Sequence, residues 1–420
     1  MIKKIVIAIV YCTTCVIFAQ NGTVSPYSFG IGDIRSVGTV ENQMMGGVGI
    51  YADSIHINLQ NPAAYSKLAL TTYTAGISRR EIRLKTYNEQ ENASVSSLDY
   101  LSIGLPLGKG FGMGVGLMPF TSIGYNLLSE SVDPEGAEVV NAASGDGGLN
   151  RVYLSLGYLL FKDVSVGATV NFDFGTLNNQ RIQTIENVQF GTLDRRESSV
   201  NGFNFNLSAN YTPLVTDKYR LHAFVGVATQ SNLVAENNRT IGTFSRATGQ
   251  DVEVVDVDLD AQNLRHTELK IPTTTSLGLG IGEDKKWFMG AEYGFQKLSS
   301  FENTFVNSEN IIFEDASYFG FGGFFIPEYT SFTNYFKRIT YRAGARLTKT
   351  GMVVNEKEIN NFGITFGVGL PLGGSFSNLN VGFELGRRGT TDAALVEESY
   401  LKINLGLSLN DRWFVQRKIN

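Results

Sequence analysis

The residue types that most often carry chemistry are few and scattered in this chain of 420 residues. It has three histidines, His56, His222 and His266, and no two stand at the spacing by which one helix face holds a metal. No Gly-x-Ser-x-Gly elbow occurs to present a nucleophilic serine. Both cysteines, Cys12 and Cys15, lie among the first twenty residues. A chain cleaved behind them has no disulfide, no thiolate ligand and no thiol nucleophile. The runs Gly112-Met113-Gly114-Val115-Gly116 and Gly278-Leu279-Gly280-Ile281-Gly282 lack the spacing and the following helix of a dinucleotide fingerprint. Asp251, Glu253, Asp256, Asp258 and Asp260 are not divided by the turn glycine of a calcium loop, and fit a solvated, strand-like extension better. The expectation is a protein with no catalytic residues, no metal and no cofactor.

The elements that would position any site begin with an export leader. Lys3 and Lys4 are followed by an apolar stretch from Ile5 to Phe18 and by the small residue Ala19. That is the layout of a signal peptide over 1–19, too short in its apolar part to anchor as a membrane-spanning helix. Neither cysteine follows the small residues that lipid attachment needs. Removing Lys3 and Lys4 lowers Lys+Arg from 35 to 33 against 40 Asp+Glu. An acidic chain of this kind is not expected to bind nucleic acid.

The remaining chain is rich in glycine (46) and in Phe and Tyr (28 and 18), poor in proline (9), and only 18% charged. No later run approaches the length of a spanning helix. What recurs is alternation with period two, the mark of a strand with one oily and one wet face. In 164–175 Val164, Val166, Ala168, Val170, Phe172 and Phe174 alternate with Ser165, Gly167, Thr169, Asn171, Asp173 and Gly175. Segments 201–211 and 400–410 repeat the pattern. About fourteen such strands fit between residues 70 and 410, the number and contrast of a transmembrane antiparallel β-barrel. Connections alternate in length. Short ones at 107–110, 162–163, 213–218, 284–285 and 371–378 belong on the periplasmic side, and long ones at 128–149, 181–197, 235–268 and 300–314 outside. Residues 411–420 then form a periplasmic tail. The aromatic run Tyr318–Phe325 reads as a lipid-facing strand with its interfacial girdle, or as a docking face for another protein.

Residues 20–69 do not alternate, yet their apolar content speaks against disorder. The segment Met44-Met45-Gly46-Gly47-Val48-Gly49-Ile50-Tyr51-Ala52-Asp53, followed by Asn61-Pro62-Ala63-Ala64 and a strand, resembles the N-terminal plug of the FadL outer-membrane transporter family. The resemblance implies a fourteen-stranded barrel in the outer membrane, with residues 20–69 as a hatch inside the lumen. Gly46, Gly47, Asn61, Pro62 and Ala63 carry its motif. It implies passive uptake of a hydrophobic small molecule, of the long-chain fatty acid class, with outer-membrane lipids as surroundings. It also places a sideways opening at a kink in the third strand, where this chain has Met118-Pro119-Phe120. Proline there marks a bulge or an edge.

One feature departs from an apolar conduit. In the alternating register Asp173, Glu292, Arg342, Arg346, Glu384 and Lys402 face the lumen, where opposite charges on neighbouring strands would seal and rigidify it. Some relatives of the FadL family, such as the PorV component of type 9 secretion, serve secretion or assembly machines. The alternative reading is therefore a non-transport subunit of an outer-membrane secretion or assembly complex, with other outer-membrane proteins as partners.

Overall fold

The computed structural model describes residues 22–301, 303–306, 310–372 and 377–412. The expected leader and residues 413–420 of the expected tail lie outside them. Among the described residues the chain makes fourteen passes through one closed antiparallel sheet. Their membrane portions are β1 (Thr71–Lys85), β2 (Gln90–Gly108), β3 (Phe111–Pro119), β4 (Glu138–Phe161), β5 (Val164–Ile185), β6 (Phe190–Tyr211) and β7 (Tyr219–Ala228). They continue as β8 (Thr274–Glu283), β9 (Trp287–Gln296), β10 (Ala316–Phe325), β11 (Thr340–Val354), β12 (Lys357–Pro371), β13 (Asn378–Arg388) and β14 (Glu397–Asp411). Each pairs with the next, and β14 returns to β1 from Thr71–Asp411 to Lys85–Glu397. Closure leaves no free edge along that seam, which is the condition for a sheet to stand in hydrocarbon.

Alternation becomes sidedness through the pleat. On β5 and β6, Ser165, Thr169, Asn171, Asp173, Asn204 and Ser208 are buried in the lumen, whereas Val170, Phe174, Phe203, Phe205 and Leu207 face outward. Phe319, Phe321 and Phe325 of β10 are likewise outward, whereas Tyr318 and Phe324 of the same aromatic run turn into the lumen. No helix among the described residues is long and apolar enough to cross a membrane.

The long outer connections are largely sheet rather than loop. Asn126–Val132 pairs with the start of β4, β5 and β6 run on to a short turn near 186–189, and Ser231–Ser245 continues the seventh pass. Asp251–Asp256 and His266–Ile271 both pair with that continuation. Polar strands can extend beyond the membrane because the β-ladder satisfies their backbone whatever surrounds it. On the inner side one connection departs from the short-turn rule. Residues 326–339 between β10 and β11 hold a 3-10 helix, Tyr335–Arg338, and Phe332 at the tip is 99% exposed. The loop is braced by Lys337–Glu328 at 2.9 Å and by Tyr335 donating to the Pro371 carbonyl at 3.1 Å.

Residues 22–70 fill the barrel. A short helix, α1 (Val40–Gln43), ends at Gly46 and Gly47, both with positive φ, where the Gly47 amide returns to the Asn42 carbonyl. Side chains are disfavoured in that backbone region, and space demands glycine as well: a Cβ on Gly46 would lie 2.5 Å from the Ala345 carbonyl oxygen. The wall reciprocates, since a Cβ on Gly112 of β3 would lie 1.9 Å from the Tyr65 carbonyl oxygen. Asn61 is extended, as the residue before a proline must be, but Pro62 opens a 3-10 helix over Pro62–Lys67 instead of leading directly into β1.

At the periplasmic end His56 Nδ1 meets Asp53 Oδ2 at 2.5 Å, with Glu41 Oε1 3.9 Å from Nε2. Burial disfavours the imidazolium, and the carboxylates of Asp53 and Glu41 outweigh it, so the His56 pKa lies above its ordinary value. Burial also opposes ionised Asp53, but His56 and two backbone amides hold its pKa below the usual range.

Two outcomes follow from this architecture. Epitope tags inserted at 133–136 and 246–249 should be reached by antibody on intact cells; labelling only after the outer membrane is opened would invert the orientation. The His56–Asp53 contact should be pH-dependent. A raised imidazole pKa contributes stability that is whole below about pH 6.5 and is lost as pH rises through the folded value. The depressed Asp53 pKa sets the lower limit, near the ordinary carboxylate value of about 4. Exchange protection of amides 49–61, corrected for intrinsic rates, should therefore fall on alkalinisation, and His56→Gln should flatten the dependence. Equal pH profiles for both proteins would exclude the contact as a lock on the plug.

Candidate functional site

The six lumen charges all lie inward, but most of them hold the plug or polar neighbours rather than one another. Glu292 accepts the Gly49 amide at 2.8 Å and the Tyr318 hydroxyl at 2.7 Å. Lys402 donates to Gln43 Oε1 at 2.9 Å and stands 3.7 Å from Asp99. Arg342 donates to Asn380 at 3.0 Å, and Asn380 in turn donates to plug residue Glu41 at 2.8 Å. Arg346 and Glu384 form an ion pair at 2.6 Å. They sit on β11 and β13, and reach each other across Gly363 of the intervening strand. Asp173 makes a two-pronged pair with Arg151 at 2.7 and 2.9 Å, both side chains buried, and accepts a third bond from Asn204 at 2.7 Å. Such pairs tolerate burial only when their remaining hydrogen-bonding capacity is met, and the Arg151 guanidinium also lies 3.8 Å from the Phe120 ring centroid.

The hatch motif is bonded into the wall at several points. The Gly46 amide donates to Thr365 Oγ1 at 3.0 Å, which donates to the Met44 carbonyl at 3.0 Å. Asn61 donates to Asn210 at 3.0 Å and accepts from Ser208 at 2.9 Å, and the Ala63 amide donates to Ser208 at 2.9 Å. Tyr51 packs edge-on to Phe324 at 4.9 Å and against Phe288 at 5.0 Å, with the ring of His222 at 5.3 Å. His222 is thus a member of an aromatic contact, and His266 stands far along the chain in an outer strand. Asp251 pairs with Arg195 at 2.7 Å, and Asp258 accepts the amides of its own turn.

The wall breaks at the third pass. The β2–β3 ladder runs from Gly108–Phe111 to Leu101–Leu117 and stops, while β3 stays paired to β4 as far as Pro119–Asn150. Beyond Pro119 the chain turns into the barrel. Phe120 donates to the Leu149 carbonyl at 2.7 Å, and Thr121–Ser122 pairs with the plug residues Asp33–Ile34. A single bridge, Ile123 to Gly147, keeps it against β4, and a continuous ladder with β4 resumes at Asn126. Above Leu101, therefore, β2 has β1 on one side and, among the described residues, no ladder on the other. Met118 and Phe120 are buried on the lumen side of this break. A cavity of about 500 Å³ reaches it, with Val95, Met118, Phe120 and Phe224 among its apolar lining and Arg35, Arg80 and Glu384 among its charged lining. A second cavity, of about 1090 Å³, lies between the outer strand extensions and includes Phe29, Tyr125, Arg181 and Ile241 in its lining.

Residues absent from the sequence-based set are Arg35, Asp99 and Arg151. Arg151 stands in lumen phase on β4 and was legible by the same alternation that marked Asp173. Asp99 was hidden by a register shift, and Arg35 by its place in the non-alternating segment.

The fold is that of the FadL-type hydrocarbon channels. The Pseudomonas putida toluene transporter TodX superposes with a TM-score of 0.59 at 14% identity, over 91% of this chain and all of that one (100%). The Ralstonia pickettii toluene transporter TbuX gives 0.57 at 13% identity, over 89% of this chain and 98% of that one. A Pseudomonas aeruginosa FadL homologue gives 0.56 at 12% identity, over 90% and 98%. Together with a closed fourteen-pass barrel this places the chain in the outer membrane. No curated protein matches it. The family model described as BamG matches residues 1–420, and the chain belongs to the BamG family.

Proposed function

We propose that this barrel is a non-transport subunit of an outer-membrane protein assembly complex. The observation that carries the reading is the plug's attachment to the wall at points spread over five strands. Glu41 is bonded to β13 and β14, Gly46 to β12, Gly49 to β9, and Asn61 and Ala63 to β6. Clearing a path would leave several buried polar groups without partners, at about 1–3 kcal/mol each. The lumen charges reinforce that attachment instead of lining an apolar tunnel, and the BamG designation of the family points the same way.

A second reading, passive uptake of a hydrophobic small molecule of the long-chain fatty acid class, is supported by the break beside Pro119 and by the fold shared with proteins titled as toluene transporters. In that reading Met118, Pro119 and Phe120 border a sideways exit from lumen to bilayer. No catalytic step and no cofactor enter either reading.

The two separate in one strain set. A chromosomally tagged chain, extracted from outer membranes in mild detergent, should co-purify in constant proportion with barrel-assembly proteins through a salt wash. Deletion should lower the outer-membrane content of other barrels. A chain that purifies alone while deletion leaves those barrels unchanged would sink the assembly reading. Uptake of labelled fatty acid, compared in wild type, deletion and Pro119→Ala cells, should be equal in all three. Loss in the deletion strain would transfer the conclusion to uptake.

A further inference from the structure

The inner connection from β10 to β11, residues 326–339, is folded rather than merely long. The Ile326 amide donates to the Lys286 carbonyl at 2.7 Å, the Glu328 amide to the Lys337 carbonyl at 2.8 Å, and the Phe336 amide to Asn334 Oδ1 at 3.0 Å. What this frame presents is aromatic. Phe332 is 99% and Phe336 71% exposed, with Tyr329 and Tyr335 exposed beside them. Large apolar side chains gathered in the open on one braced loop mark a contact surface.

The place where the loop leans identifies what it contacts. Trp287, Phe325 and Tyr341 stand opposite one another on β9, β10 and β11, and the ring of Tyr219 on β7 lies 5.9 Å from that of Trp287. Their strand neighbours Phe288, Phe324 and Arg342 are buried inward, so the row faces lipid. An aromatic row at the inner end of the strands is the girdle by which a barrel sits at the boundary of membrane and water. Tyr341 of that row donates its hydroxyl to the Phe336 carbonyl at 3.3 Å, and Tyr335 donates to the Pro371 carbonyl at 3.1 Å. The loop is therefore bonded to the wall at the level of the girdle, and its own aromatic residues continue the girdle away from the wall.

The cations here are of two kinds. Lys337 is matched by Glu328 at 2.9 Å and Lys286 by Glu283 at 3.2 Å. Lys285 and Arg338 instead lie over the rings of Tyr329 and Tyr335, each 5.4 Å from the centroid, and among the described residues neither pairs with a carboxylate. A cation seated on a ring keeps donors for an anion. At a membrane boundary the anions are lipid phosphates, which draw basic side chains to the surface. We propose that loop 326–339 is an interfacial finger: Phe332 and Phe336 enter the inner leaflet, and Lys285 and Arg338 bind the headgroup phosphate of anionic phospholipid. The site is independent of whether the barrel assembles with partners or admits a solute.

The test uses the full chain from outer membranes, reconstituted in phosphatidylcholine vesicles, with a thiol-attached fluorophore at Thr333→Cys beside Phe332. The chain has no cysteine after residue 20, and Thr248→Cys in an outer turn is the water-exposed reference. Quenching by spin-labelled phosphatidylglycerol is compared with quenching by spin-labelled phosphatidylcholine at equal mole fraction, and with quenching by acrylamide from water. The anionic lipid should quench position 333 about threefold more than the zwitterionic one, and acrylamide should quench it less than position 248. Phe332→Ala with Phe336→Ala should lower quenching by both lipids. Lys285→Gln with Arg338→Gln should equalise the two lipids while lipid quenching persists. If the half-buried Arg338 cannot be replaced without losing the heat-modifiable band of a folded barrel, Lys285→Gln alone, at an exposed turn, should still lower the preference. Acrylamide quenching equal to the reference, with none by lipid, would overturn the proposal and make the loop a surface for a water-borne protein. Equal quenching by the two lipids in the parent, or a preference that survives the charge variants, would overturn the phosphate site.

Discussion

Hydrocarbon offers no partner to a backbone amide or carbonyl, and this requirement governs the rest of the molecule. Fourteen passes closed on one another meet it nearly everywhere, with β14 returning to β1 over fifteen consecutive residues of ladder, Thr71 to Lys85. The exception is the upper part of β2, whose free edge begins where β3 leaves the wall at Pro119. A residue without an amide hydrogen stands where the ladder is already failing. The chain beyond it regains partners by pairing inward with Asp33–Ile34 of the plug. The wall and the plug are thus joined through one chain segment, which pairs with the plug in a small sheet of its own, and disturbing either should be felt in the other.

The interior answers a second requirement, that every buried polar group find a partner. Serine, threonine and asparagine ladders meet much of it, as in Ser155–Thr169 and Asn171–Asn204. The charges meet part of the remainder by binding the plug. Glu292 takes a plug amide, Lys402 a plug glutamine, and Asn380 links Arg342 to Glu41. A barrel built to pass apolar molecules has little use for so polar an interior. A barrel built to stay closed and present a fixed shape to neighbours gains rigidity from it. The ordered inner loop 326–339, which carries an exposed Phe332 beyond the rim, is a further surface with no counterpart in the short-turn pattern of barrels.

Much of the architecture was legible in the sequence because a strand reports its surroundings directly. Alternation at 164–175 and 201–211 became the lumen and lipid faces of β5 and β6. The inward phase of Asp173, Glu292, Arg342, Arg346, Glu384 and Lys402 followed from parity alone, since successive side chains on a pleated strand must point to opposite faces. Local periodicity determined the class of fold, the number of passes, and which side of each strand meets lipid.

Partnership was decided only in three dimensions. Arg346 meets Glu384 across an intervening strand because Gly363 leaves room, and Asp173 meets Arg151 because β4 and β5 pair in one register. One extra residue at Asp99 shifts the phase of β2 and cannot be seen without its neighbour β1. Arg35, in a segment with no period, reaches Ser122 and Asp99 only because Asp33–Ile34 pairs with a strand nearly ninety residues away. Periodicity is a property of one strand and its medium, and so is written in the chain. Register, bulges and ion pairs are properties of two segments at once, and exist only when the barrel has closed around its plug.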